Sequence, residues 1–299
     1  MERQEKDYSV EFKAICKLEG PSKNYFRIPD EIIYNCELGK IRIALYAYLY
    51  IHKGINDIVN FSVPLFLNWA GLKSDSHSGG MNDKVLTAME LLSDMGYVCF
   101  VGDKKLTRTS CAEIQFNTQL VHNMCCSGDR FAIVYLDEVE SIMRYKNEKK
   151  SDTHFNSFSI LLVFVYLRRS IIRRKNKLNP EERSEERIKD RRMRIPEAYN
   201  GKYKDIAFEL GISERIVSKS VEILRRLKLI VVGVPYRIRG IDGEYRTPDF
   251  LFSNFQKRDE GQLLISGIEY AKTEINLKAK QMHDYHKKFG VNYSLKEIS

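Results

Sequence analysis

The feature that most constrains this 299-residue chain is a helical stripe that stops at a glycine and resumes at once as a second stripe. Lys204 to Leu210 has helical composition, with Ile206, Ala207 and Leu210 on one side. Gly211 suits the left-handed residue that ends a helix. Ser213 can cap the next helix, because its hydroxyl can accept a bond from an early backbone N–H. Val217, Val221 and Leu224 then recur at i, i+4 and i+7, one apolar stripe. Leu229-Ile-Val-Val232 is rich in strand formers and begins a strand.

The face opposite that stripe carries the chemistry. Arg215, Ser218, Lys219 and Glu222 fall together at i, i+3, i+4 and i+7. Arg, Lys and a hydroxyl can contact phosphates and base edges, and Arg pairs well with guanine. Ser213 and Glu214 lie at the helix N-terminus, the end that enters a DNA groove first. The plain alternative is an amphipathic helix with a solvated charged face. The Gly-Ile-Ser turn and the β-rich stretch that follows favour a winged helix-turn-helix. Strands near Ile230–Val234 and Tyr245–Phe252 flank Pro235–Glu244, where Asp242-Gly243 is a strong turn signal. Arg237, Arg239 and Arg246 lie near the tip of this wing, where phosphate or minor-groove contacts are made. A hairpin that is basic only for solubility is the alternative.

A second copy lies upstream. At a constant offset Val85 matches Val217, Met89 matches Val221, Leu92 matches Leu224, and Gly96-Tyr-Val98 matches Lys228-Leu-Ile230. Gly96 is the expected helix stop, and Lys228 departs from that preference. Leu65–Gly71, capped by Ser62, is the expected preceding helix, and the polar loop Lys73–Gly80 lengthens the turn. Val98–Val101 and Ile114–Phe116 can make a small wing with Gly102–Lys105 near its tip. The outward face of this copy's last helix, Asp83, Leu86, Thr87 and Glu90, reads as net acidic with an exposed Leu. It suits a protein contact better than a phosphate backbone, although Lys73, His77 and Lys84 can touch DNA from the turn. The lead-ins echo one another too. Phe26-Arg-Ile-Pro-Asp-Glu-Ile-Ile33 resembles Phe131-Ala-Ile-Val-Tyr-Leu-Asp-Glu-Val139, and each precedes an apolar helix, Ile41–His52 and Phe158–Arg174. Repetition on this scale means two related domains.

Net charge is +9 and the pI about 9.1, which favours polyanionic partners. The charge is uneven: residues 166–194 hold twelve Lys/Arg and five Asp/Glu. Within them Asn179 and Pro180 can open a helix whose acids lead and whose bases follow. Arg187, Arg191 and Arg194 share one face of it with Arg183, an arm for a phosphate backbone or a charged, solvated insertion. Cys125 and Cys126 are adjacent, with His122 nearby, and no second ligand pair stands at zinc-site spacing. The six cysteines therefore read as ordinary thiols and no metal or other cofactor is expected. No signal peptide is evident, which favours the reducing cytoplasm. The longest apolar run, Phe158–Leu167, is too short to span a bilayer. Residues 259–288 read as one helix whose Leu264, Ile268, Ala271, Ile275 and Met282 form a short heptad seam. No phosphate-binding Gly-x-x-x-x-Gly-Lys-Ser/Thr loop, His-Glu-x-x-His helix or Gly-x-Ser-x-Gly elbow is present, so a non-enzyme is expected.

The lead-in Tyr25-Phe-Arg-Ile-Pro-Asp-Glu-Ile-Ile33, the following Ile41-Arg-Ile-Ala-Leu-Tyr-Ala-Tyr-Leu-Tyr50 and the basic second reader resemble the tandem winged-helix replication initiators of plasmids, phages and mobile elements, mainly of low-GC Gram-positive bacteria. The resemblance covers residues 22–252. It implies sequence-specific binding of double-stranded DNA, with one winged domain mediating dimerisation and the other contacting repeated origin sites. The expected fold is mainly α with small β-wings, an α+β chain of two tandem winged helix-turn-helix domains plus a C-terminal helix. The domains are 1–125, 126–257 with a charged insertion at 175–200, and 258–299. A homodimer is expected through the first domain or the C-terminal helix, with no membrane partner. A transcriptional regulator of the same fold and a protein-interaction scaffold without DNA binding are the alternatives. If the arginine arm lies on DNA, neutralising Arg187, Arg191 and Arg194 will flatten the salt dependence of binding by up to about three in slope. Affinity measured from low to moderate salt checks this, and an unaltered slope returns the arm to solvent.

Overall fold

The computed structural model describes residues 25–75, 77–102, 105–126, 130–145, 157–171, 199–233, 236–239, 245–246, 250–254, 284 and 293–295. Among them the chain is α+β, with helices and small antiparallel sheets. Residues 24–169 and 203–227 form one compact unit, and the described parts of 170–202 and 228–299 fall in a second.

The larger unit opens with β1 (Tyr25–Pro29), α1 (Asp30–Tyr34) and a 3-10 turn, Cys36–Leu38. Next come α2 (Arg42–His52), β2 (Ile58–Ser62), α3 (Val63–Trp69), α4 (Met81–Asp94), β3 (Val98–Val101) and β4 (Cys111–Phe116). β4 lies between β2 and β3 in a three-stranded sheet. The local chemistry follows the sequence. The Ser62 hydroxyl accepts from Leu65 N at 3.3 Å and caps α3, and Gly96 closes the turn after α4 at φ +77°. α5 (Thr118–Cys126) adds a helix where the sequence pattern predicts none.

β5 (Phe131–Tyr135), α6 (Leu136–Met143) and α7 (Ser157–Ser170) begin the second repeat. α7 stops at Ser170, short of the expected Arg174, and Ile171 is already a bend. The echoing lead-ins pair with each other. β1 and β5 run antiparallel from Tyr25 opposite Tyr135 to Pro29 opposite Phe131, centred on Arg27 and Ile133. Both bury their second, fourth and fifth residues. This aligns Tyr25, rather than Phe26, with Phe131. Pairing two equivalent strands in this way creates a local pseudo-twofold.

The last turn of α7 grips both lead-ins. Arg169 makes a bidentate bond to Asp30, with Nε–Oδ1 at 2.5 Å and Nη2–Oδ2 at 2.6 Å. Arg168, buried and stacked over Phe164 and Tyr135, pairs with Glu138, whose other oxygen accepts from Tyr135 N. The acids of the two lead-in motifs thus hold the ends of α1 and α6 to one helix.

α8 (Tyr203–Leu210) and α9 (Glu214–Arg226) complete this unit. Arg42, the first residue of α2, is buried and reaches across 168 positions of sequence. Its guanidinium donates to the carbonyls of Ile33 at 2.9 Å, Gly39 at 2.8 Å and Leu210 at 3.1 Å. Burial lowers its pKa to about 10.

In the second unit β6 (Tyr199–Gly201), β7 (Ile230–Gly233) and β10 (Phe250–Asn254) form a sheet with β10 in the middle. The order matches that of the first sheet: the strand before the helix pair, then the last strand, then the strand after the pair. β8 (Tyr236–Arg239) lies between β9 (Tyr245–Arg246) and β11 (Tyr293–Leu295) in another sheet. The strand at 293–295 lies in the C-terminal part of the chain, where the sequence predicts only a helix. The C-terminal heptad residues and the arm at 175–194 lie outside the described residues, though Asp284 is helical.

The core of the larger unit is aromatic around Phe66. Its ring stacks on Phe158 at 5.5 Å and meets Tyr48 edge-on at 5.4 Å, with Phe61 and Trp69 beside it. Phe66→Ala is expected to cost about 3–5 kcal/mol in urea denaturation. Its neighbour Leu65, 53% exposed, gives the control, since Leu65→Ala should stay within about 0.5 kcal/mol.

Candidate nucleic-acid interface

α9 is built as the sequence predicts. Gly211 sits at φ +66°, and the Ser213 hydroxyl accepts from Ile216 N at 3.4 Å. Val217, Val221 and Leu224 are buried, while Ser213, Glu214, Arg215, Ser218 and Glu222 are exposed and Lys219 is half-buried. Arg225 and Arg226 extend the exposed basic surface into the last turn, where cations suit the helix dipole. The sequence pattern does not single out these two. It also leaves Glu222 open, whereas the Glu222 carboxylate pairs with Arg226; their i, i+4 spacing is the signal. Phe208 on α8 is 87% exposed, which the helical stripe does not reveal either.

The turn after α9 strengthens the repeat. Lys228, the residue that departs from the expected glycine, holds φ at +57°, the same left-handed conformation as Gly96. The two helices therefore end the same way despite different residues.

The three arginines expected near a hairpin tip lie on short strands that flank residues 240–244. Arg237 and Arg239 belong to β8 and Arg246 to β9, so they lie along a ribbon: Arg237 opposes Ser294, Arg239 opposes Tyr245 and Arg246 opposes Ile238. Residues 240–244 lie outside the described residues, as do Arg187, Arg191 and Arg194.

The first copy departs from the acidic reading. Leu86 is half-buried, so it is not the exposed Leu expected. Asp83 accepts two bonds from Arg108, Nε at 2.6 Å and Nη2 at 2.7 Å, and one from Gly79 N at 2.7 Å. Arg108 precedes β4, a position the helix pattern could not connect to α4. The guanidinium, helped by the Gly79 N–H, holds the Asp83 carboxyl below the ordinary carboxylate range. The long polar loop is stitched to the same helix start, with Asp75 accepting from Met81 N and Asn82 donating to Ser74. A side chain at Gly80 would collide with Asp75, at 2.2 Å from the added carbon. Lys73, His77 and Lys84 remain exposed.

Among the described residues no cluster of His, Cys, Asp or Glu could hold a metal, and no helix is long and apolar enough to cross a membrane. No protein-family model matches the chain, and neither a curated protein nor a solved structure matches it significantly.

Arg108→Ala is expected to raise the Asp83 pKa toward about 3.9, the value of a free side chain. Carboxyl-detected NMR titration reads this directly. The sign follows from the depressed folded value: the pair's contribution to stability is present above the unfolded pKa and is lost as pH falls through the folded one.

Proposed function

We propose that this protein binds double-stranded DNA sequence-specifically through two winged helix-turn-helix modules, and that it acts as a replication initiator of a plasmid, phage or mobile element. The reading is carried by α9, which is capped by Ser213 and turns Arg215, Ser218 and Lys219 away from a buried Val217–Val221–Leu224 stripe. In this reading α9 enters the major groove by its N-terminal end, where Arg215 is placed for a guanine edge or a phosphate. Arg237, Arg239 and Arg246 on the ribbon after α9 supply backbone contacts. The recurring order of helix, strand, helix pair and two strands supports two modules of one kind, and the basic charge supports a polyanionic partner. The protein acts by binding rather than by catalysis, as a homodimer in the cytoplasm.

Arg215→Ala with Lys219→Ala is expected to weaken binding to a selected duplex by several kcal/mol, since each side chain that reads a base edge is worth about 1–3 kcal/mol. Fluorescence anisotropy with duplexes drawn from a random pool tests it. Unchanged affinity for the recovered site would sink the assignment of α9. A motif repeated beside the gene favours initiation, and a single operator favours a transcriptional regulator of the same fold. Weak binding without a motif leaves a scaffold for protein partners.

A further inference from the structure

A cleft of about 720 Å³ opens in the larger unit between residues 36–42, the start of α4 and the Leu210–Gly211 turn. We propose that this cleft binds a phosphate-bearing ligand, with Lys40 and Lys84 as its flexible cations and Arg42 as its fixed one.

Arg42 is 1% exposed and meets only backbone carbonyls; no carboxylate pairs with it among the described residues. Buried charges are ordinarily matched by an opposite charge, because removing an ion from water costs several kcal/mol. Three bonds leave two of the five guanidinium N–H groups for another acceptor. The lowered pKa agrees with a charge that its surroundings do not fully compensate.

Lys40 and Lys84 line the same cleft, are exposed, and make no ion pair with a described residue. Of the two carboxylates in the lining, Asp83 is engaged by Arg108 and the Gly79 N–H, and Glu37 is exposed. Positive charge thus predominates. A phosphate group, carrying about two negative charges near neutral pH, fits three cations better than a single carboxylate does. The group can belong to a small phosphorylated molecule or to a nucleic-acid backbone. The charge of the cleft does not depend on what α9 binds.

The test uses the full chain and a Lys40→Gln, Lys84→Gln variant, whose exposed changes should leave the unliganded melting temperature unaltered. Sodium pyrophosphate is titrated by calorimetry, and a duplex of arbitrary sequence is titrated over a range of salt. For a small phosphorylated ligand, the variant should bind pyrophosphate at least tenfold more weakly while its duplex salt slope stays the same. For a nucleic-acid backbone, the variant's duplex slope should fall by about two. Either result supports the cleft. Equal behaviour of the two proteins in both arms, or failure of the natural protein to bind either probe, overturns it. Arg215→Ala with Lys219→Ala, run in parallel, should leave pyrophosphate binding unchanged, which separates failure of the cleft from failure of α9.

Discussion

The larger unit depends on a buried guanidinium. Arg42 takes the carbonyls of Ile33 and Leu210, each from the last turn of a short helix, and that of Gly39 from the segment between α1 and α2. Carbonyls at a helix end lack intrahelical donors and carry partial negative charge, so a cation is a fitting partner. One side chain thereby satisfies groups from α1 and α8, which are far apart in sequence. Removing it would leave buried carbonyls unpaired, each costing about 1–3 kcal/mol. The packing of Cys36 repeats the constraint, because its sulfur lies 3.0 Å from where a side chain at Gly211 would begin. The turn into α9 is therefore fixed from the first repeat, and the glycine is required twice, for its positive φ and for the closeness of Cys36.

A second set of polar contacts ties the repeats at their lead-ins. β1 and β5 use each other as the only strand partner either has among the described residues. A two-stranded ribbon is marginal by itself. Here it is held by buried Phe26, Ile28 and Val134 beneath it, and by Arg168 and Arg169 at its flanks. The acids that made the lead-ins look alike in sequence, Asp30 and Glu138, are the partners of those arginines. Their recurrence reflects a shared structural task and makes no demand on a ligand.

What was legible in the sequence was local. The period of Val217, Val221 and Leu224, the stop at Gly211 and the caps at Ser62 and Ser213 are all set within a few residues, and each is found in place. The repeat was legible for the same reason, since a constant offset aligns two local patterns. What stayed hidden was set across distance. Nothing in Ile41–His52 marks Arg42 as buried, because a helix N-terminus ordinarily keeps an arginine in water. The pairing of β1 with β5 joins segments about a hundred residues apart, and strand pairing leaves no periodic trace of its partner. The strands after α9 were partly legible: β8 and β9 pair on either side of Asp242-Gly243 and β7 pairs with β10, but the pairing of β8 with β11 left no local signal.

The repeat also shows how one frame comes to carry two electrostatic surfaces. The offset that matches Val85 to Val217 places Asp83 against Arg215 and Thr87 against Lys219. At the position shared by Asp83 and Arg215, in the first turn of each helix, the repeats thus hold opposite charges. A free carboxylate at Asp83 would repel any polyanion approaching the start of α4. Arg108 removes that repulsion by cancelling the charge within the fold, and in doing so ties the approach to β4 to the helix. At the start of α4 this leaves Lys84 as the exposed charge. At the equivalent place on α9 an arginine stands exposed, with a half-buried lysine one turn on. The exposed basic side chains of the larger unit therefore come from both repeats, with Lys40 and Lys84 in the first and Arg215, Arg225 and Arg226 in the second.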